Sequence, residues 1–284
     1  MATLTPGVLL EGLLFPECPR WHEGKLWFSD MNAYKVQTVD LDGCPETIAS
    51  VAERPAGLGF LPDGRLMVVS MRDRRLLRLE ADGFREIADL SDLTGGDLND
   101  MVVDAEGRAY ISNFGYDYHS DPMSLQPANI VLVTPDGQAR SVADSLIFPN
   151  GMVISPDGGT LIVAETFASR LTAFTVKPDG SLTDRRSFAE LGGPFPDGIC
   201  LDADGAVWVG SPTTSEFLRV IEGGTVTHRV PVPGKWAVAC MLGGFDRLTL
   251  FLCTAETTPQ DQAKDNSKGW IETVRVEVPG AGRP

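Results

Sequence analysis

Short apolar runs alternate with glycine turns along the whole chain. Pro149 to Val163 shows the layout most fully: an apolar run, a Pro156-Asp157-Gly158 turn and a second apolar run. This reads as two buried strands joined by a tight turn. Asp-Gly suits such a turn, because glycine takes positive φ at no steric cost and aspartate tolerates it. The same layout recurs at Glu17–Phe28, Ala56–Val68, Asn99–Ile111, Asp197–Val209 and, in degenerate form, from Trp236 to Leu252. The turn glycines Gly24, Gly64, Gly107, Gly158, Gly205 and Gly244 stand 39 to 51 residues apart. Most copies continue into a third strand and a second turn, at Asp42-Gly43, Asp82-Gly83, Asp136-Gly137, Asp179-Gly180 and Gly223-Gly224. Four short strands per repeat at this period are the signature of a propeller blade. Six copies predict an all-β, six-bladed β-propeller in one domain over residues 1–284. The 30 glycines and 20 prolines are too evenly scattered for long helices.

Gly7 to Leu14 reads as a strand without a blade of its own. The last repeat has clear strands over 248–253 and 270–278. An open sheet edge invites aggregation, so the N-terminal strand is expected to pair with the last blade and close the ring. The tail Val278 to Pro284 is expected to fray, since it cannot continue a strand past Pro279.

Composition narrows the partners. A net charge of −15 argues against nucleic acid and anionic membranes. No apolar run is long enough to span a bilayer. The first residues lack the basic and apolar regions of a signal peptide. A cytoplasmic location is therefore expected. Cys18, Cys44, Cys200, Cys240 and Cys253 are odd in number and lack Cys-x-x-Cys spacing, so reduced thiols are expected.

The repeat register places side chains. Counting eight residues back from the turn glycines gives Ala56, Asn99, Asn150, Asp197 and Trp236; the shorter first copy gives Glu17. In a propeller the first strand of each blade lines the central channel. Glu17, Asn99, Asn150 and Asp197 should therefore converge at one end of the axis, beside Ala56 and Trp236. They are hard oxygen donors, which suit Ca²⁺, Mg²⁺ or Mn²⁺; Fe²⁺ and Zn²⁺ stay among the candidates. Two carboxylates close together repel unless a cation lies between them.

At these residues the chain resembles the senescence marker protein/gluconolactonase/luciferin-regenerating-enzyme family. Glu17-Cys18-Pro19-Arg20-Trp21 resembles the family's Glu-Gly-Pro-x-Trp, and Pro149-Asn150-Gly151 and Pro196-Asp197-Gly198 match its later motifs. The resemblance implies a six-bladed propeller with one divalent metal in the channel, a small-molecule substrate, and lactone hydrolysis. It also implies that Glu17, Asn150 and Asp197 ligate the metal, that Asn99 lies beside metal and substrate, and that Asp197 is the catalytic base. One motif departs. The family's Arg-x-Asn-Asp-Gly is Asp97-Leu98-Asn99-Asp100-Met101 here, so the arginine that would hold sugar hydroxyls is absent. A less polar lactone or another ester is expected.

Loops between second and third strands should surround the metal. Among them are Met71-Arg72-Asp73 and a long aromatic loop over 113–129, a candidate lid. Arg72 could hold a carboxylate or oxyanion. Asn99, Arg72, Trp236 and His119 are the candidate substrate-facing residues. No Gly-x-Ser-x-Gly elbow exists to carry a serine triad. Two rivals stay open: a calcium-dependent phosphotriesterase or arylesterase, and a non-catalytic binding propeller with a structural metal.

Overall fold

The computed structural model describes residues 1–117 and 125–282. Six sheets stand in a ring, and each is a meander of antiparallel strands. Blade one is Pro16–His22, Lys25–Asp30, Lys35–Val39 and Pro45–Ser50. Blade two runs from Pro55–Phe60 to Gly83–Asp89, and blade three from Leu98–Val103 to Ala139–Leu146. Blade four runs from Pro149–Ile154 to Leu182–Glu190, and blade five from Ile199–Leu201 to Val226–Pro231. Blade six takes Trp236–Gly243, Thr249–Glu256 and Lys268–Arg275 from the end of the chain, and Gly7–Leu13 from its start. The N-terminal strand pairs antiparallel with Lys268–Arg275 and closes the ring, as the sequence predicts. Ala2–Thr3, to which the repeat pattern assigns no role, adds a parallel fifth strand to blade five.

The first strand of every blade touches the first strands of both neighbours, so six inner strands form the channel wall. Apolar side chains of the first and second strands pack between neighbouring blades. Val102 and Tyr110 of blade three, for instance, pack with Met152, Leu161 and Val163 of blade four. Close approach at the axis requires glycine. A Cβ on Gly151 would lie 2.7 Å from the backbone nitrogen of Ile199, and one on Gly198 would lie 2.3 Å from the Ala239 Cβ. The glycine that follows Asn150 and Asp197 is therefore a packing requirement of the blades that carry those residues.

The C-terminal tail departs from the expected fraying. The Ala203 amide donates to the Pro279 carbonyl at 2.8 Å, Gly280 to Arg247 at 2.9 Å and Ala281 to Leu201 at 2.9 Å. Pro279 cannot donate, but its carbonyl is a full acceptor. The tail is thereby tied to the end of the propeller opposite the pocket described below. Among the described residues no helix is long and apolar enough to cross a membrane. All five cysteines are free, with Cys200 and Cys240 sulfurs 3.7 Å apart on adjacent inner strands.

Candidate active site

Three inner strands are irregular where the sequence places the channel residue. The ladder slips between Glu17 and Arg20, between Leu98 and Met101, and between Pro149 and Met152. A bulge releases a residue from the ladder and re-aims its side chain. Here it turns Glu17, Asn99 and Asn150 into the channel. Asp197 sits just ahead of the short strand Ile199–Leu201. Its carbonyl accepts from the Gly151 amide at 3.3 Å, which ties the Asn150 and Asp197 segments together. Ser112 reinforces the ring from the second strand of blade three, donating toward the carbonyls of Asp100 (3.1 Å) and Asn150 (3.2 Å).

Glu17, Asn99, Asn150 and Asp197 meet at the floor of a pocket of about 290 Å³, and Trp236 stands in its wall. Four of the register residues and their tryptophan neighbour are thus brought together; Ala56 is buried alongside without lining the pocket. Arg72 is not in the wall. It is exposed, donates to the Tyr34 hydroxyl at 2.8 Å and lies over the Tyr34 ring. His119 lies outside the described residues, as does part of the 113–129 loop that carries it. His22, the other histidine near a repeat motif, stacks on Phe60 with ring centroids 3.7 Å apart.

The floor is electrostatically tense. Burial, and then the negative charge of Asp100, push the Glu17 carboxyl up to about 7, although it accepts a hydrogen bond from the Cys18 amide. Burial and then Glu17 push the Asp197 carboxyl well above the usual carboxylate range, against a hydrogen bond from Asn150. Two carboxyls that hold each other's protons in a closed channel are a site waiting for positive charge. Thr166 orients one amide: its hydroxyl donates to the Pro196 carbonyl at 2.7 Å and accepts from Asn150 Nδ2 at 3.2 Å. That leaves the Asn150 carbonyl oxygen as the end available to a cation. Asn99 Nδ2 is buried without a hydrogen-bond partner, a donor held ready for something in the pocket. Two carboxylates and two amides form an oxygen-rich set that fits a hard divalent cation.

Several wall residues carry no register signal. Phe15, Phe148 and Phe195 line the pocket, each two positions before a floor residue. A visible signal could have found them: the triplets Phe15-Pro16-Glu17, Phe148-Pro149-Asn150 and Phe195-Pro196-Asp197. Pro259 and Gln262 close one side from a strap between the last two strands of blade six. Asp265 of the strap accepts from Tyr34 at 2.9 Å and from the buried Arg54 guanidinium. Asn32 Nδ2 donates to the Gln262 carbonyl at 3.2 Å.

The family model described as the SMP-30/Gluconolactonase/LRE-like region matches residues 15–256. A 6-deoxy-6-sulfogluconolactonase from Pseudomonas putida is 25% identical over 279 residues, covering 94% of this chain and 93% of that protein. Lactonase drp35 from Staphylococcus saprophyticus is 27% identical over 295 residues, covering 96% and 85%. The crystal structure of regucalcin from Agrobacterium tumefaciens, described as a calcium-binding protein, superposes with a TM-score of 0.83 at 22% identity, covering 100% of this chain and 98% of that one.

Proposed function

The chain belongs to the SMP-30/gluconolactonase/LRE-like family, and we propose that it hydrolyses a lactone at the channel floor with the help of one divalent cation. The relatives named as lactonases support the reaction class. The observation that carries the reading is the meeting of four oxygen-bearing side chains from four blades, two of them carboxyls whose protons burial retains. Glu17, Asn150 and Asp197 would hold the cation. When bound, it supplies Lewis acidity to the substrate carbonyl and keeps both carboxylates ionised.

The protein's own groups do the rest. Asp197 takes a proton from water as the water oxygen bonds to the carbonyl carbon. The ring carbon–oxygen bond then breaks, and the proton passes to the departing alkoxide, leaving a hydroxy acid. Asn99 Nδ2 donates to the substrate at the floor, where its hydrogen has no other acceptor. The aromatic wall limits water at the reacting centre, which strengthens every polar contact there.

The test is reconstitution. Protein stripped by a chelator is reloaded with Ca²⁺, Mg²⁺, Mn²⁺, Fe²⁺ or Zn²⁺ and assayed by acid release on lactones, an aryl ester and a phosphotriester. Metal-dependent lactone hydrolysis is expected. The reading fails if no metal supports lactone turnover, or if the phosphotriester outpaces every lactone.

A further inference from the structure

The pocket is polar at its floor and aromatic on its walls. Phe114 stacks on Phe148 with centroids 4.6 Å apart and planes 9° apart. Phe148 meets Phe167 at 4.8 Å, and Phe167 meets Phe195 edge-on at 5.7 Å. Four rings from blades three, four and five thus form one unbroken arc, and all four line the pocket. The Phe-Pro-X triplets explain its place. Phe148 and Phe195 each precede a floor residue, Asn150 and Asp197, by two positions and line the same pocket. Phe15, two positions before Glu17, and Trp236 line the pocket as well.

The polar groups above the floor are few: Thr166 and Thr213, both hydrogen-bonded, and the Gln262 amide on the strap side. Thr166 bonds Pro196 and Asn150, and the Thr213 hydroxyl accepts from the Phe195 amide at 3.3 Å. No lysine or arginine lines the pocket among the described residues. The cations near its mouth are committed elsewhere: Arg72 to Tyr34, Arg54 to Asp265, and Lys235 to Glu272 at 3.1 Å and to the face of Trp270.

We propose that the substrate is an uncharged lactone bearing an apolar aryl or alkyl substituent, which lies along the Phe114–Phe148–Phe167–Phe195 arc while the lactone carbonyl meets the floor. This rests on the lactonase reading above and narrows it. A polyhydroxylated sugar lactone would bury hydroxyls against phenyl rings. Each unpaired hydroxyl lowers affinity by about 10- to 100-fold. A sulfonated or phosphorylated lactone would bring an anion to a wall without a cation, on a chain of net charge −15. The pocket is small enough, at about 290 Å³, to favour one ring and its substituent over an oligomer.

The experiment compares kcat/KM of the metal-loaded protein for γ-phenyl-γ-butyrolactone, γ-nonalactone, glucono-δ-lactone and 6-phosphogluconolactone. In parallel, calorimetry follows binding of the non-hydrolysable γ-phenyl lactam to metal-free protein. The expected results are at least a tenfold preference for the apolar lactones and measurable lactam binding. Phe167→Ala and Phe195→Ala, both in partly buried positions, should each weaken lactam binding and lower kcat/KM for the phenyl lactone at least fivefold, and by a larger factor than for glucono-δ-lactone. Equal or faster turnover of glucono-δ-lactone or its phosphate overturns the inference and leaves the lactonase reading intact. Lactam binding without turnover of any lactone sinks the lactonase reading but supports the apolar assignment. Absence of lactam binding overturns that assignment.

Discussion

Arg20 and Asp100 form a buried ion pair one layer below the pocket floor, with Arg20 Nη2 2.7 Å from Asp100 Oδ1. Arg20 also donates to the carbonyls of Pro19 and Met101, and Asp100 accepts from the Met101 amide at 2.8 Å. The pair bolts the inner strand of blade one to that of blade three across the channel. The Asp100 charge in turn raises Glu17 and Asp197.

Removing one partner should be costly, because the other charge stays buried and unpaired. Asp100→Ala should lower stability by roughly 3–5 kcal/mol in chemical denaturation. The double change Arg20→Met/Asp100→Met, which removes both charges, should recover much of that loss. Equal destabilisation by the single and the double change would show that packing volume matters there and the ion pair does not.

Divalent metal should stabilise the protein, and increasingly so as pH rises. Saturation at about 100 Kd adds roughly 2.7 kcal/mol to the folded state, a rise in Tm of about 5 °C or more for a chain of this size. In the metal-free protein burial, and then the Asp100 charge, push the Glu17 carboxyl up to about 7 from its ordinary 4.5. The folded state therefore binds more protons than the unfolded chain between those values, and its stability falls as pH rises through them. A cation removes that penalty. The gain in Tm on adding metal should be smaller at pH 5 than at pH 8, as melting curves at the two pH values would reveal. A gain that is flat or larger at pH 5 would mean that the ion does not bind at these carboxylates.

Asn99 and Asn150 look alike in the repeat register but differ in their bonds. The Asn150 amide nitrogen is engaged by Thr166, whereas Asn99 Nδ2 is buried and unpartnered. Asn150→Ala should weaken metal affinity in calorimetric titration. Asn99→Ala should leave that affinity within about threefold and lower kcat by about tenfold or more, the effect of losing a hydrogen bond made to the reacting group. Equal loss of metal affinity in both variants would put Asn99 among the ligands.

Fold and floor were largely legible in the sequence because both follow from a repeat. The glycine turns marked the blades, and a fixed offset from them found Glu17, Asn99, Asn150 and Asp197. Gly7 to Leu14 was legible as a strand with no blade of its own, due to close the ring against the last blade, and Gly7–Leu13 does so. The walls were harder to read. Arg72 occupies a loop on the expected face, but its guanidinium finds Tyr34 before it reaches the pocket, a side-chain preference that register does not encode. Pro259 and Gln262 reach the pocket because Asp265 meets Arg54 and Tyr34 more than 200 residues away in sequence. The tail 279–281 is held mainly by backbone hydrogen bonds, with Ala281 packed on an apolar cluster and Gly280 against Leu242, contacts that the repeat pattern does not encode. The Phe-Pro-X triplets were visible, and only their joint meaning waited for the ring.

Asp197 is proposed both to bind the cation and to move the proton. Lactone hydrolysis by Asp197→Asn at saturating metal tests it most directly. An amide keeps an oxygen for the cation but cannot accept the proton. With metal occupancy verified by calorimetry, kcat should stay at least about 100-fold below the unmodified protein, however much metal is added. Recovery of the full rate once the site is filled would contradict the account and leave Asp197 as a ligand only.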